Sequence, residues 1–179
     1  KKCWISNYSW RPAKLFEGAD MLLAIIIDKH NEIDTVYSTK YNKWYNEYRN
    51  FLFKNLAYNE TTNINMADSI AKLPSPLFTK IIEKLKIQDG KSSLTSSFLP
   101  TPTKHILYYF RAVQYWFKVL DRIPIYKDNG EDCITGEMKP VYTLSEEEKY
   151  VIIAFLSSSL FFTNYIMWSS CQVVNSRDF

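Results

Sequence analysis

The apolar positions change period twice within the first 60 residues. Residues 19–28 (ADMLLAIIID) form a short continuous apolar run. Its length and β-branched end predict a strand buried on both faces. Lys29 to Asp34 is polar and turn-like, and Thr35 to Thr39 (TVYST) is β-prone again, so the two runs could pair as a hairpin with a longer loop. From Tyr41 the period lengthens. Trp44, Tyr48, Phe51 or Leu52, and Leu56 fall on one face of a predicted helix ending near Leu56.

The polar run Asn59 to Asn65 (NETTNIN) is the best candidate for a domain boundary, and Ile70 to Leu73 suits a short strand. Pro76 is placed to open a helix, with Ser75 as its cap and Leu77, Ile81, Ile82 and Leu85 as its apolar face. Residues 88–97 (QDGKSSLTSS) read as a loop that Pro100 and Pro102 prolong. Residues 104–126 fit either a helix or two strands, and periodicity does not choose between them. Residues 128–136 (DNGEDCITG) read as a turn-rich loop, and Lys139 to Thr143 as extended chain around Pro140. Ser145 with Glu148 forms a capping box, and the acids at 146–148 suit the positive end of a helix. A long helical stretch follows towards Cys171, with a break expected near Ser157 to Ser159. Tyr150 to Ser176 carries no charge, but Ser157, Ser158, Ser159, Thr163, Asn164, Ser169 and Ser170 interrupt it. A buried core helix, or two short ones, is therefore expected in place of a membrane span.

Composition narrows the chemistry. With 179 residues and 46% hydrophobic side chains, the chain can bury a core without staples. Only 4 glycines are present, and no GxGxxG or GxxxxGK[ST] run exists for a phosphate loop. The 3 cysteines are far apart, without a CxxC pair, which fits a reducing compartment and a cytoplasmic location. His30 and His105 are too separated for a histidine metal cluster. No Ser-His-Asp set, calcium loop or other catalytic constellation can be assigned. The chain opens on Lys1 without an initiator methionine, and is expected to be a piece of a longer protein.

Charge is uneven. Residues 61–120 carry 8 basic and 3 acidic side chains, whereas residues 121–179 carry 5 and 9. The segment Lys104 to Lys118 (KHILYYFRAVQYWFK) combines Lys104, Arg111 and Lys118 with six Tyr, Trp and Phe residues and no acid. Cations neutralise phosphates, and aromatic rings stack on unpaired bases. A second such group is Lys40, Tyr41, Lys43, Trp44 and Arg49. The competing explanation for both is a core-facing aromatic stripe with lysines reaching outward.

Three stretches carry a family resemblance. They are Arg11-Pro-Ala-Lys-Leu-Phe-Glu-Gly-Ala19 running into the apolar strand; Val36-Tyr-Ser-Thr39 followed by Tyr41 and Trp44; and Leu156-Ser-Ser-Ser-Leu-Phe-Phe162 with Trp168 and Asn175-Ser-Arg-Asp178. In this order they resemble the C-terminal, target-recognition part of N6-adenine DNA methyltransferases from type II and IIG restriction-modification systems. The likeness is dense at both ends of the chain and thin in the middle. Ser157 stands where that family often has Asn.

The resemblance implies an α+β chain. Residues 1–58 would be the last strands and exit helix of a methyltransferase domain, and residues 59–179 a target-recognition domain. It also tilts residues 104–126 towards a β-hairpin. The implied partners are double-stranded DNA and the remainder of the parent enzyme, with no membrane. S-adenosylmethionine is implied for the parent but not for this chain, which lacks the glycine-bearing cofactor loop and the Asn-Pro-Pro-Tyr type motif and so has no catalytic residue of its own. The implied mechanism is base flipping, with Phe16 packing on the extruded adenine. Arg11 and Lys14 would lie near its phosphates. Lys40, Lys43, Lys104, Tyr108, Arg111, Tyr115 and Lys118 would contact DNA, Arg111 as a guanine reader. Two alternatives are kept beside this one: an interaction or scaffold module that docks through the uncharged helix, and a small enzyme with an unrecognised site.

Overall fold

The computed structural model describes residues 1–30, 34–66, 69–86, 93–133 and 135–179. It is an α+β chain that divides into two compact units, Lys1–Asp89 and Gly90–Phe179. The polar run 59–65 lies inside the first unit. It is tied there by pairing with a neighbouring strand and by the Asn59 side-chain amide, which donates to the Leu73 carbonyl at 3.0 Å.

The first unit is built on a four-stranded sheet in the order β2-β1-β3-β4. Its strands are β1 (Lys2–Tyr8), β2 (Leu23–Lys29), β3 (Thr35–Asn42) and β4 (Asn59–Glu60). β1 runs antiparallel to β2 and parallel to β3. The apolar run and the TVYST run are therefore strands, but they do not form the expected hairpin, because β1 lies between them. β1 lacks a clear apolar alternation because its inward side chains include polar ones, with Ser6 and Tyr8 both 1% exposed. The β1–β3 ladder shifts register between Ile5 and Asn7. There the Asn7 amide donates to the Thr39 hydroxyl at 3.1 Å, and the Asn42 side chain donates to the Asn7 carbonyl at 2.9 Å. Buried Thr39 and Asn42 thus supply partners that the interrupted ladder lacks, as buried backbone groups require.

β2 departs from expectation in burial. Leu23 and Ile25 pack on a cluster of Tyr8, Ala13, Leu15, Trp44 and Leu52. The rest of the strand is open, with Ile26 61% and Ile27 57% exposed. β2 is an edge strand in this sheet, and only Leu23 and Ile25 reach the cluster. The helix expected up to Leu56 is two short 3-10 stretches, Asn46–Phe51 and Phe53–Asn55, because Tyr41 and Asn42 still belong to β3. Trp44 and Leu52 are buried as the spacing requires, but Tyr48 and Phe51 are exposed.

The unit closes with a short pair, β5 (Asn65–Met66) and β6 (Ser69–Ile70), and with α1 (Pro76–Lys86). α1 begins at Pro76 as expected and buries Ile82, but Leu77 is 61% exposed. The Leu85 side chain, residues 31–33 of the expected turn and residues 88–92 of the expected loop lie outside the described residues.

The second unit has a three-stranded antiparallel sheet in the order β11-β7-β8. The strands are β7 (Ile106–Phe110), β8 (Val119–Leu120) and β11 (Met138–Tyr142). Residues 104–126 are thus strands and not a helix. β9 (Tyr126–Asp128) and β10 (Glu131–Cys133) form a separate hairpin where only a loop was expected. Its turn places Asn129 at φ 51° and Gly130 at φ 88°, the left-handed pair that a two-residue hairpin turn needs.

Two helices follow, α2 (Glu146–Leu156) and α3 (Ser159–Trp168), bent by 61° at the break. Ser145 caps α2, its hydroxyl accepting from the Glu148 amide at 3.2 Å. The Glu148 carboxylate reaches one residue further back than expected and accepts from the Leu144 amide at 2.7 Å. Ser158 caps α3 in the same way, accepting from the Phe161 amide at 3.1 Å. Among the described residues no single helix is long and apolar enough to cross a membrane.

α2 packs on β7 and β8. The core here is aromatic. Phe117 stacks with Tyr109 at 6.5 Å and meets Phe161 edge-on at 4.8 Å, Tyr165 at 5.7 Å and Phe179 at 5.9 Å. Such offset and edge contacts are the favourable geometries for ring quadrupoles.

Candidate nucleic-acid interface

In the first unit the candidate residues gather around the loop that joins β1 to β2. Ala13 and Leu15 point into the core, 3% and 4% exposed, and anchor the loop from below. Arg49 anchors it from the side, donating to the carbonyls of Lys14 at 2.9 Å and Leu15 at 2.6 Å. Ser9 holds the entrance, its hydroxyl donating to the Arg11 carbonyl at 2.7 Å. The loop then turns sharply: the Ala19 amide donates to the Phe16 carbonyl at 3.3 Å, and Gly18 sits at φ 79°. That is the third position of a type II turn, where a side chain would be strained. Phe16 opens this turn and is 58% exposed. The ring therefore stands on a pinned backbone and faces water.

Beside it is a cavity of about 730 Å³ lined by Trp10, Arg11, Pro12, Lys14, Asp20, Lys43, Trp44 and Tyr45. Three of the expected DNA contacts thus share one depression. The Arg11 guanidinium lies over the Trp10 ring at 4.0 Å, a cation–π contact that fixes its plane. Lys14 is ion-paired with Asp20, so part of its charge is already answered within the protein. Lys40, exposed on β3, lines a separate depression with Lys43, Tyr48, Phe51 and Asn55. Trp44 is 6% exposed, and its indole nitrogen is buried with no hydrogen-bond partner among the described residues.

In the second unit the expected contacts do not all converge. Arg111 follows β7 and Lys118 precedes β8, so the two flank the connecting loop. The Phe110 amide donates to the Lys118 carbonyl at 3.2 Å and holds the loop ends together. Both side chains are exposed. Lys104 precedes the far end of β7, roughly 20 Å from Arg111 at about 3.3 Å per extended residue. It cannot share one phosphate with them. Tyr108 and Tyr115 are half-buried. Tyr115 packs edge-on against Phe162 at 5.7 Å, and burial holds the phenols of Tyr109 and Tyr115 above the ordinary tyrosine range.

Sequence reasoning grouped Arg49 with the surface cations, but its guanidinium builds the loop. It did not single out Trp10, Asp20 or Tyr45, which line the cavity. Only the adjacency of Trp10 to Arg11 was a signal for them. No family model, curated protein or solved structure matches this chain.

Proposed function

We propose that the chain is the DNA-recognition part of an N6-adenine DNA methyltransferase. It holds duplex DNA while a catalytic domain elsewhere in the parent enzyme methylates a flipped adenine. The observation that carries this reading is the β1–β2 loop. Phe16 is presented to water on a backbone fixed by Ala13, Leu15, Gly18 and Arg49, beside a cavity lined by Arg11, Lys14 and Lys43. An extruded base needs a flat apolar surface, and its phosphates need cations next to it. Both are supplied within one loop.

The open edge of β2 supports the same reading. Ile26 and Ile27 face water beside an unpaired row of backbone groups. Covering each isoleucine would contribute about 1.5–3 kcal/mol. An edge strand left in that state is a template for another strand, here the remainder of the methyltransferase sheet. Arg111 and Lys118 would extend the DNA contact from the second unit.

Fluorescence titration of the chain with random duplex DNA at low and moderate salt tests this function. Micromolar binding that weakens steeply with salt is expected, because phosphate contacts release counterions. Absence of binding at low salt, or binding indifferent to salt, would refute a DNA role for this chain.

A second reading rests on α2, which with Leu144 before it exposes Leu144 at 76%, Val151 at 68% and Phe155 at 41%. A protein-docking face would look like this. Concentration-dependent self-association without DNA binding would favour it.

A further inference from the structure

We infer that Trp116 is a stacking platform for an unpaired nucleobase. The inference rests on the DNA role proposed above and gives one part of the second unit a specific task within it. Trp116 is 60% exposed, yet its ring is held in place. Phe162 of α3 stacks against one face, with centroids 5.0 Å apart and planes 11° from parallel. Tyr115 meets it edge-on at 5.0 Å and meets Phe162 edge-on at 5.7 Å. One face of the indole is thus backed by a ring that is itself packed, while the residue as a whole stays 60% exposed.

The backbone beneath is equally constrained. Gln114 has φ 48° and Tyr115 φ 95°, values at which residues with side chains are strained. The Val113 amide donates to the Gln172 carbonyl at 3.1 Å, the Tyr115 amide to the Cys171 carbonyl at 2.5 Å, and the Val174 amide to the Arg111 carbonyl at 2.8 Å. The C-terminal segment therefore clamps the loop in the conformation that projects Trp116. Two paired strands can be joined by two residues, whereas residues 111–118 separate β7 from β8. The extra length serves the projection and not the pairing.

The charges around the ring select the ligand. Arg111 and Lys118 stand at the two ends of the loop, and neither makes an ion pair among the described residues. Residues 104–120 contain no acid. A flat apolar surface on a loop flanked by two cations, with the Lys118 ammonium 5.5 Å from the Phe110 ring, matches a base with its flanking phosphates better than a neutral peptide. Inside a perfect duplex both faces of each base are already stacked. The indole can therefore accept only a base that is bulged or displaced from the helix.

The test compares three ligands by fluorescence anisotropy at one low salt concentration: a perfect duplex, the same duplex with one unpaired thymidine, and a single strand. The native chain is expected to bind the bulged duplex about tenfold more tightly than the perfect one. Trp116→Leu, which keeps an apolar contact with Phe162, should abolish that preference and hold perfect-duplex affinity within about twofold. Trp116→Phe, which keeps a ring face, should retain most of it. Circular dichroism confirms that each variant folds. Binding of duplex DNA with no preference for the bulge, or a preference that survives Trp116→Leu, overturns the stacking role and leaves the DNA role standing. Binding of none of the three ligands overturns both.

Discussion

Phe16 in the first unit and Trp116 in the second are similarly exposed, at 58% and 60%. They are held in different ways. Phe16 opens a glycine turn whose backbone is fixed by two buried neighbours and by the Arg49 guanidinium. No ring contact fixes its own plane among the described residues. Trp116 has the reverse support: its plane is set by Phe162 and Tyr115, on a strained backbone clamped by the C-terminal segment. The cations differ too. In the first unit Arg11, Lys14 and Lys43 line one cavity, where Lys14 is answered by Asp20, and Lys40 lines another. In the second, Arg111 and Lys118 flank a single loop. A ring free to reorient suits a base delivered into a pocket. A ring fixed in plane suits stacking from one direction.

The largest effect should separate stability from presentation. Phe161 is 2% exposed inside the aromatic core, so Phe161→Ala should cost about 3–5 kcal/mol in urea unfolding. Phe16→Ala should stay within about 0.5 kcal/mol, since exposed side chains contribute little. A loss of several kcal/mol at Phe16 would make it a packing residue and end the comparison.

Arg49→Ala should cost about 2 kcal/mol, because it removes two hydrogen bonds from a charged donor. Hydrogen exchange should quicken at the amides of residues 14–19 and stay unchanged at residues 111–118. Uniform quickening across the chain would mean that Arg49 supports the whole fold and not the loop.

Ser145→Ala removes the cap of α2 and should lower the stability of the second unit by about 1 kcal/mol. The first unit should keep its unfolding midpoint.

A finer contrast lies within the first cavity. Arg11→Ala should reduce the salt slope of DNA binding by about 0.9, the value for one phosphate contact. Lys14→Ala should reduce it less, because Asp20 already holds that ammonium. Equal reductions would show that DNA displaces the ion pair.

The smallest effect concerns alkaline pH. Burial raises the phenols of Tyr109 and Tyr115 above their unfolded values. Their contribution is fully present below the unfolded tyrosine value near 10. It is lost as pH rises through the higher folded values. Tyrosinate absorbance should show three late-titrating groups, Tyr8 of the first unit among them, and stability of the second unit should begin to fall once pH passes about 10.

Much of this architecture is legible along the chain, where local signals act alone. Pro76, Ser145 and the serines at 157–159 mark helix ends that the backbone obeys, because caps satisfy nearby amides. The loop from Arg11 to Ala19 stands out in the sequence only through the family resemblance, since its buried Ala13 and Leu15 and its turn at Gly18 depend on the packed structure. β1 is not legible. Its buried Ser6 and its ladder interruption at Asn7 depend on Thr39 and Asn42, over 30 positions away. The exposed face of β2 is hidden for the same reason, as an apolar run does not say which neighbours it has. The hairpin at 126–133 has a local signal in Asn129-Gly130, set within a polar run that composition alone reads as loop. Residues 104–126 were undecidable because aromatic side chains suit both periods, and only pairing with β11 settles them.

The most direct test of the central claim is nuclear magnetic resonance of the chain titrated with duplex DNA at low salt. Shifts are expected at residues 10–20 and 40–45 in the first unit and at 111–118 in the second. The acidic hairpin at 126–133 should stay silent. Shifts confined to that hairpin or to α2, or no shifts at all, would contradict the assignment of these two aromatic loops to DNA.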